Sequence, residues 1–148
     1  MKYLFILGLS LSLIACARQE STAPNANLED LHGQWVVINY WAQWCKPCIK
    51  EIPELNELDQ RYDQVTVLGV NYDGASGVEL EQQRQQLGVA FGSLQQDPAT
   101  QLGTTRPVVL PTTLVVDTTG KLVATLVGPQ TAESLAKATQ QLAAEGSE

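Results

Sequence analysis

Two kinds of run alternate along this chain. Trp35–Trp41 (Trp-Val-Val-Ile-Asn-Tyr-Trp) is almost unbroken in apolar character, and so is Val65–Asn71 (Val-Thr-Val-Leu-Gly-Val-Asn). Such runs predict central strands covered on both faces. Between them, over 46–62, Ile49, Ile52, Leu55, Leu58 and Tyr62 recur every three or four positions, which predicts a helix with one buried face. Pro53 lies inside that pattern; lacking an amide donor, it is expected to kink the helix. Residues 78–87 are polar and glutamine-rich, a helix that Gly88 would end. A short strand is expected at 89–91. Asp97-Pro98 reads as an N-cap followed by a first-turn proline, opening a short helix to Leu102.

Pro111 precedes a strand over 112–117, the turn Asp117-Thr118-Thr119-Gly120, and a hairpin partner over 121–127. A last helix over 131–144 would turn Leu135, Ala138 and Leu142 inward. This order predicts an α/β fold, a central mixed sheet with helices on both faces.

The first residues follow a different pattern. Lys2 precedes a short apolar stretch over 3–14, and the run Leu13-Ile14-Ala15-Cys16 ends it. The stretch is too short to span a bilayer comfortably. It resembles a bacterial lipoprotein signal, which implies cleavage after residue 15 and lipidation of Cys16; an ordinary secretory signal with an incidental cysteine is the alternative. Residues 16–27 are polar and aperiodic and read as a flexible tether. The expected organisation is a signal peptide over 1–15, a lipidated N-terminus and tether over 16–27, and one domain over 28–148.

The 148 residues are 44% hydrophobic, enough for one domain with a core. The formal net charge of −7 and the lack of a basic run argue against nucleic acid as a partner. Beyond residue 15, eight basic residues stand against 16 acidic ones, a balance that ordinary solubility explains. Cys45 and Cys48 are left as a pair in an exported, oxidising setting. Together with the lone His32, a loop residue with no assigned role, they offer too few ligands for a metal.

The chemistry concentrates where strand gives way to helix, at Trp44-Cys45-Lys46-Pro47-Cys48. A cysteine at a helix N-terminus has its thiolate stabilised by the helix dipole. Lys46 and the hydrogen bond Cys48 can donate add to that, and Pro47 stiffens the ring. Lowering a thiol pKa from about 8.5 to about 7 takes about 2 kcal/mol of preferential anion stabilisation. Cys45, at the helix end, is expected to be exposed and to attack a substrate disulfide; Cys48, deeper in the first turn, is expected to resolve the mixed disulfide. Glu51 lies one turn beyond Cys48 on the same side. Spacing alone leaves it either a solvated carboxylate or a buried proton carrier for Cys48. Trp44 is expected at an exposed edge of the substrate surface, Trp35 and Trp41 in the packing, and Asp73 as no more than a loop cap.

Residues 39–48, the run Glu51-Ile52-Pro53-Glu54-Leu55, residues 67–73, and Leu110-Pro111-Thr112-Thr113 with Asp117 and Gly120 resemble the thioredoxin superfamily. Within it they are most similar to the exported TlpA-like thiol-disulfide oxidoreductases, including ResA-like and DsbE-like proteins. The resemblance covers most of 28–144 and implies a thioredoxin-like fold with a TlpA-type central insertion. It also implies that Glu51 replaces the buried Asp of cytosolic thioredoxins, where this chain has Asn39. Pro111 would be the cis-proline beside the cysteines, and the backbone of Leu110 would pair with an extended substrate segment. The apolar residues Val108, Val109 and Leu110 depart from the Gly and Glu usual around this proline in DsbE-like proteins, which puts a dedicated apocytochrome role in doubt.

The implied function is a protein-disulfide reductase acting on exported thiol or disulfide proteins, with no cofactor beyond its own dithiol. It would be recharged by a membrane thiol-electron donor of the DsbD or CcdA type. The implied place is the periplasmic side of a bacterial membrane, anchored through Cys16, as a monomer; Ala17 favours the outer membrane under the enterobacterial sorting rule, whereas cytochrome maturation partners sit on the inner one. A peroxidase is disfavoured, because Ala42 stands where peroxiredoxins have Thr or Ser. A membrane-tethered chaperone or assembly module, for example in cytochrome c maturation, is the alternative from another class.

Overall fold

The computed structural model describes residues 26–142. The expected signal peptide, the lipidation site Cys16, most of the tether and the end of the last helix lie outside the described residues. Five strands form one mixed sheet: β1 (Trp35–Trp41), β2 (Val65–Asn71), β3 (Gly92–Ser93), β4 (Thr112–Val116) and β5 (Leu122–Val127), in the order β3-β2-β1-β4-β5. β1 runs parallel to β2 and antiparallel to β4. Three helices accompany them: α1 (Lys46–Arg61), α2 (Gly77–Leu87) and α3 (Ala132–Ala138). No helix among the described residues is long and apolar enough to cross a membrane.

Alternation along the strands sorts side chains into two cores. Val37, Val65 and Val67 pack with Ile52, Leu55 and Leu58 of α1 and with Leu135 and Ala136 of α3. On the other face Val36, Ile38, Tyr40, Leu68, Val70, Leu114 and Val116 are covered by Leu28 and Leu31 of a short 3₁₀ turn (Leu28–Leu31), by Leu94 and Leu102, and by Leu110. That second cover is made of a turn and irregular segments. Asn39 shares the first face with Val37, which aims its amide at α1.

Most expected elements stand within a residue or two, including the αL cap at Gly88. α1 runs through Pro53 as one helix. Three expectations are corrected. The short strand lies at Gly92–Ser93, because Val89 and Phe91 are consumed in the α1-side core. Residues 97–102 make one turn, with Asp97 capping the Ala99 amide and Gly103 at φ 66° ending it. The last helix stops at Ala138: Thr139 turns its hydroxyl back onto the Leu135 carbonyl at 2.8 Å, and Gln140 takes φ 59°. Its inward positions are Ala132, Leu135 and Ala136, while Ala138 is only half-buried.

Gly69 is required by crowding. A Cβ there would lie 2.7 Å from Trp41 Nε1 and 3.0 Å from Phe91 Cε2, and both rings are fully buried. Gly69→Ala is therefore expected to destabilise the fold by about 1–3 kcal/mol, the usual cost of overpacking. Urea denaturation checks this; an unchanged midpoint would show that the indole yields.

Candidate functional site

β1 delivers the chain to the head of α1, and Cys45 is the residue at that junction. It is the N-cap of α1, with extended backbone (φ −84°, ψ 95°), and its Sγ accepts the Cys48 amide at 3.3 Å. A sulfur in the cap position meets amides that lack intrahelical partners and the positive end of the dipole. Cys45 and Cys48 form a disulfide with S–S 2.05 Å. Lys46 and Pro47 fill the first two helical positions and are exposed.

The expectation of an exposed Cys45 is corrected: it is 4% exposed against 1% for Cys48. Both sulfurs share a cluster with Trp41 and Ala42, against which Tyr72, Leu80, Leu87 and Leu110 pack. Position at a helix end does not imply openness when neighbouring loops close over it. Ala42, buried in that cluster, offers no hydroxyl.

Leu110 packs on the cysteine cluster, and the Leu110–Pro111 peptide bond is cis. Pro111 is buried, and its carbonyl accepts the Gly128 amide at 2.9 Å. Among the described residues neither the N–H nor the C=O of Leu110 has a hydrogen-bond partner. Trp44 is 64% exposed beside this site, its indole N–H donating to Asp73 Oδ2 at 2.9 Å. Asp73 thus holds Trp44, a link that spacing could not reveal.

Glu51 is 1% exposed. Its Oε2 accepts the Asn39 amide at 3.0 Å and its Oε1 the Gln130 backbone N–H at 2.9 Å. Asn39 in turn donates to Thr113 Oγ1 at 3.1 Å, while its buried Oδ1 has no partner among the described residues. Burial pushes the Glu51 carboxyl up to about 7, against the opposing pull of the Gln130 N–H and the Asn39 amide. The carboxyl can therefore gain or lose a proton near neutrality, one turn from Cys48. Neighbouring Glu54 caps α3 through the Ala132 amide at 2.8 Å, fixing the loop that carries Gln130.

Sequence reasoning missed Thr113 and Gln130. Thr113 faces Asn39 because β1 and β4 pair Asn39 with Thr113, a register no local pattern discloses. No group of three or more metal-ligating side chains occurs among the described residues.

A site of this kind, a cystine capping a helix beside a cis-proline, sits in a sheet whose order is now established. The AhpC/TSA family model matches residues 15–125. The chain belongs to the AhpC/TSA family. Within this thioredoxin-superfamily group it is similar to the thiol-disulfide oxidoreductase ResA of Bacillus thuringiensis (strain Al Hakam), with 34% identity over 110 residues, 73% of this chain and 63% of ResA. It is 33% identical over 123 residues to the thiol:disulfide interchange protein HelX of Rhodobacter capsulatus, covering 80% of this chain and 65% of HelX. The chain thus spans slightly less than two thirds of the length of these relatives. The crystal structure of a DsbF homologue from Corynebacterium diphtheriae matches this AhpC/TSA chain with a TM-score of 0.64 and 31% identity, over 78% of this chain and 76% of that one. The thioredoxin-like fold expected for the chain is thus the fold it shares with that structure.

Proposed function

We propose that the protein is a thiol-disulfide oxidoreductase that reduces disulfides of exported proteins. The observation that carries this reading is the Cys45–Cys48 cystine, with Cys45 Sγ capping α1 and Leu110 packed against the pair. In the reduced protein the Cys45 thiolate attacks one sulfur of a substrate disulfide. A bond forms between that sulfur and Cys45, the substrate S–S bond breaks, and the departing thiolate takes up a proton. Cys48, its proton passed to the Glu51 carboxylate, then attacks Cys45 Sγ; the bond from Cys45 to the substrate breaks, and the second substrate sulfur leaves as a thiolate that takes up a proton. Two electrons leave the dithiol and the cystine is restored. Leu110, with Pro111 fixing its direction, pairs with the substrate backbone, and Trp44 borders it. Lys46 and Pro47 tune the first turn. No other cofactor is required.

The relatives' names, ResA and HelX, support exchange of thiols and disulfides. In keeping with the first residues, the protein would be a lipoprotein held through Cys16 on the outer side of a bacterial membrane, with 16–27 as its tether and a membrane thiol-electron carrier as donor. Insulin reduction with dithiothreitol as donor tests the activity: turbidity is expected to develop faster with the protein than with dithiothreitol alone. A protein that adds nothing to the dithiothreitol rate contradicts the reading.

A further inference from the structure

We propose that Arg106 is a positioning residue for the substrate strand, clamping the segment before Pro111 so that Leu110 is presented in one fixed pose. The inference rests on the reductase reading for its function, though not for its geometry. The segment 104–111 has no helix or strand of its own, and it carries Val108, 90% exposed, and Val109, 52% exposed. An apolar run of this kind gains by collapsing onto the surface unless something holds it out.

Arg106 supplies the hold. Its Nε lies 3.0 Å from Asp97 Oδ2, its terminal nitrogen donates to the Tyr72 carbonyl, and its guanidinium stacks 4.0 Å from the Tyr72 ring centroid. Both partners are themselves fixed. Asp97 Oδ1 accepts the hydroxyl of fully buried Tyr40 at 2.7 Å and the Ala99 amide at 2.9 Å. Tyr72 packs against the cysteine cluster and donates its hydroxyl to the Pro107 carbonyl at 3.1 Å. On the far side Thr112 Oγ1 donates to the Val109 carbonyl at 2.8 Å. The segment is thus tied at Arg106, Pro107 and Val109, while Leu110 has no backbone hydrogen-bond partner among the described residues.

One guanidinium makes an ion pair, a hydrogen bond to a carbonyl and a ring stack at once. An ammonium group cannot reproduce that set. A strand held ready binds its partner without first being ordered. The clamp should therefore act on substrates that pair with backbone and leave small disulfides untouched.

The test uses the full chain with Arg106→Gln, Arg106→Lys and Asp97→Asn, assayed on insulin and on the small disulfide 5,5′-dithiobis(2-nitrobenzoate). Arg106→Gln is expected to raise KM for insulin about 10-fold, a 1.4 kcal/mol loss, with kcat nearly unchanged and the small-disulfide rate within about twofold. Arg106→Lys should not rescue it, and Asp97→Asn should move KM the same way. In parallel, backbone order parameters of Val108–Leu110 in the oxidised protein are expected to fall from about 0.85 to below about 0.6 in Arg106→Gln. An unchanged insulin KM, or an equal loss on both substrates, overturns the clamp. If the wild type reduces neither substrate, the function fails instead, and unchanged order parameters would then overturn the clamp on their own.

Discussion

Cys45→Ser is expected to reduce insulin no faster than dithiothreitol alone, whereas Cys48→Ser is expected to accumulate a covalent adduct with its substrate. A serine oxygen cannot form or exchange a disulfide, so removing the attacking sulfur stops the first bond from forming. Removing the resolving sulfur leaves that bond with nothing to break it. The asymmetry follows from the helix cap: Cys45 Sγ receives the Cys48 amide and stands at the positive end of α1, while Cys48 lies within the first turn. Non-reducing electrophoresis with insulin reads the result. Adducts on Cys45→Ser rather than Cys48→Ser would reverse the assignment, and a double Cys→Ser protein that kept its biological activity would favour a binding module.

Glu51→Gln should act on rate and on stability, with opposite consequences. Removing a proton carrier costs about 100-fold at the lower end of general acid–base effects. The resolving step should slow by that order, and the ionisation near 7 should vanish from its pH profile. The stability effect has a definite sign. The folded-state pKa is raised from the ordinary 4.5 to about 7, so the folded protein binds the extra proton in that interval. Below pH 4.5 the group is neutral in both states and costs nothing. As pH rises from 4.5 to 7 stability is lost, and above 7 the full cost of burying the charge, about 3 kcal/mol, is present. Gln bears no charge but opposes its own amide to one of the two donors on Glu51, a pH-independent penalty of about 1–3 kcal/mol. Urea denaturation of oxidised wild type and variant should therefore show Glu51→Gln gaining on wild type by about 3 kcal/mol between pH 4 and pH 8. A constant difference across that range would show that the carboxyl titrates as a solvated one.

Periodicity and turn residues disclosed β1, α1, β2 and α2 because each buries one self-contained pattern, and Gly88 marks a stop that needs no tertiary help. The weaker elements were decided by tertiary packing. Phe91 and Val89 look like strand residues, yet the α1-side core takes them and leaves pairing to Gly92 and Ser93. The helix signal at Asp97-Pro98 is real for one turn, but Asp97 is also bound to Tyr40 and Arg106, and Gly103 ends the run. At the site, adjacency in sequence gave Cys45, Cys48 and Glu51. Asn39, Thr113 and Gln130 meet Glu51 only through strand register and a loop pinned by Glu54. The closing of the loops over Cys45 was likewise invisible, since Leu110 and Tyr72 come from distant segments.

The central claim is that the cap position of α1 makes the Cys45 sulfur an anion near neutral pH. The pH dependence of iodoacetamide alkylation in the fully reduced protein, with Cys45 identified by mass spectrometry, measures it directly. Alkylation of Cys45 near pH 7 is expected to be faster than that of free glutathione, because the cap position favours the thiolate. Cys45 no faster than free glutathione at that pH would contradict the account.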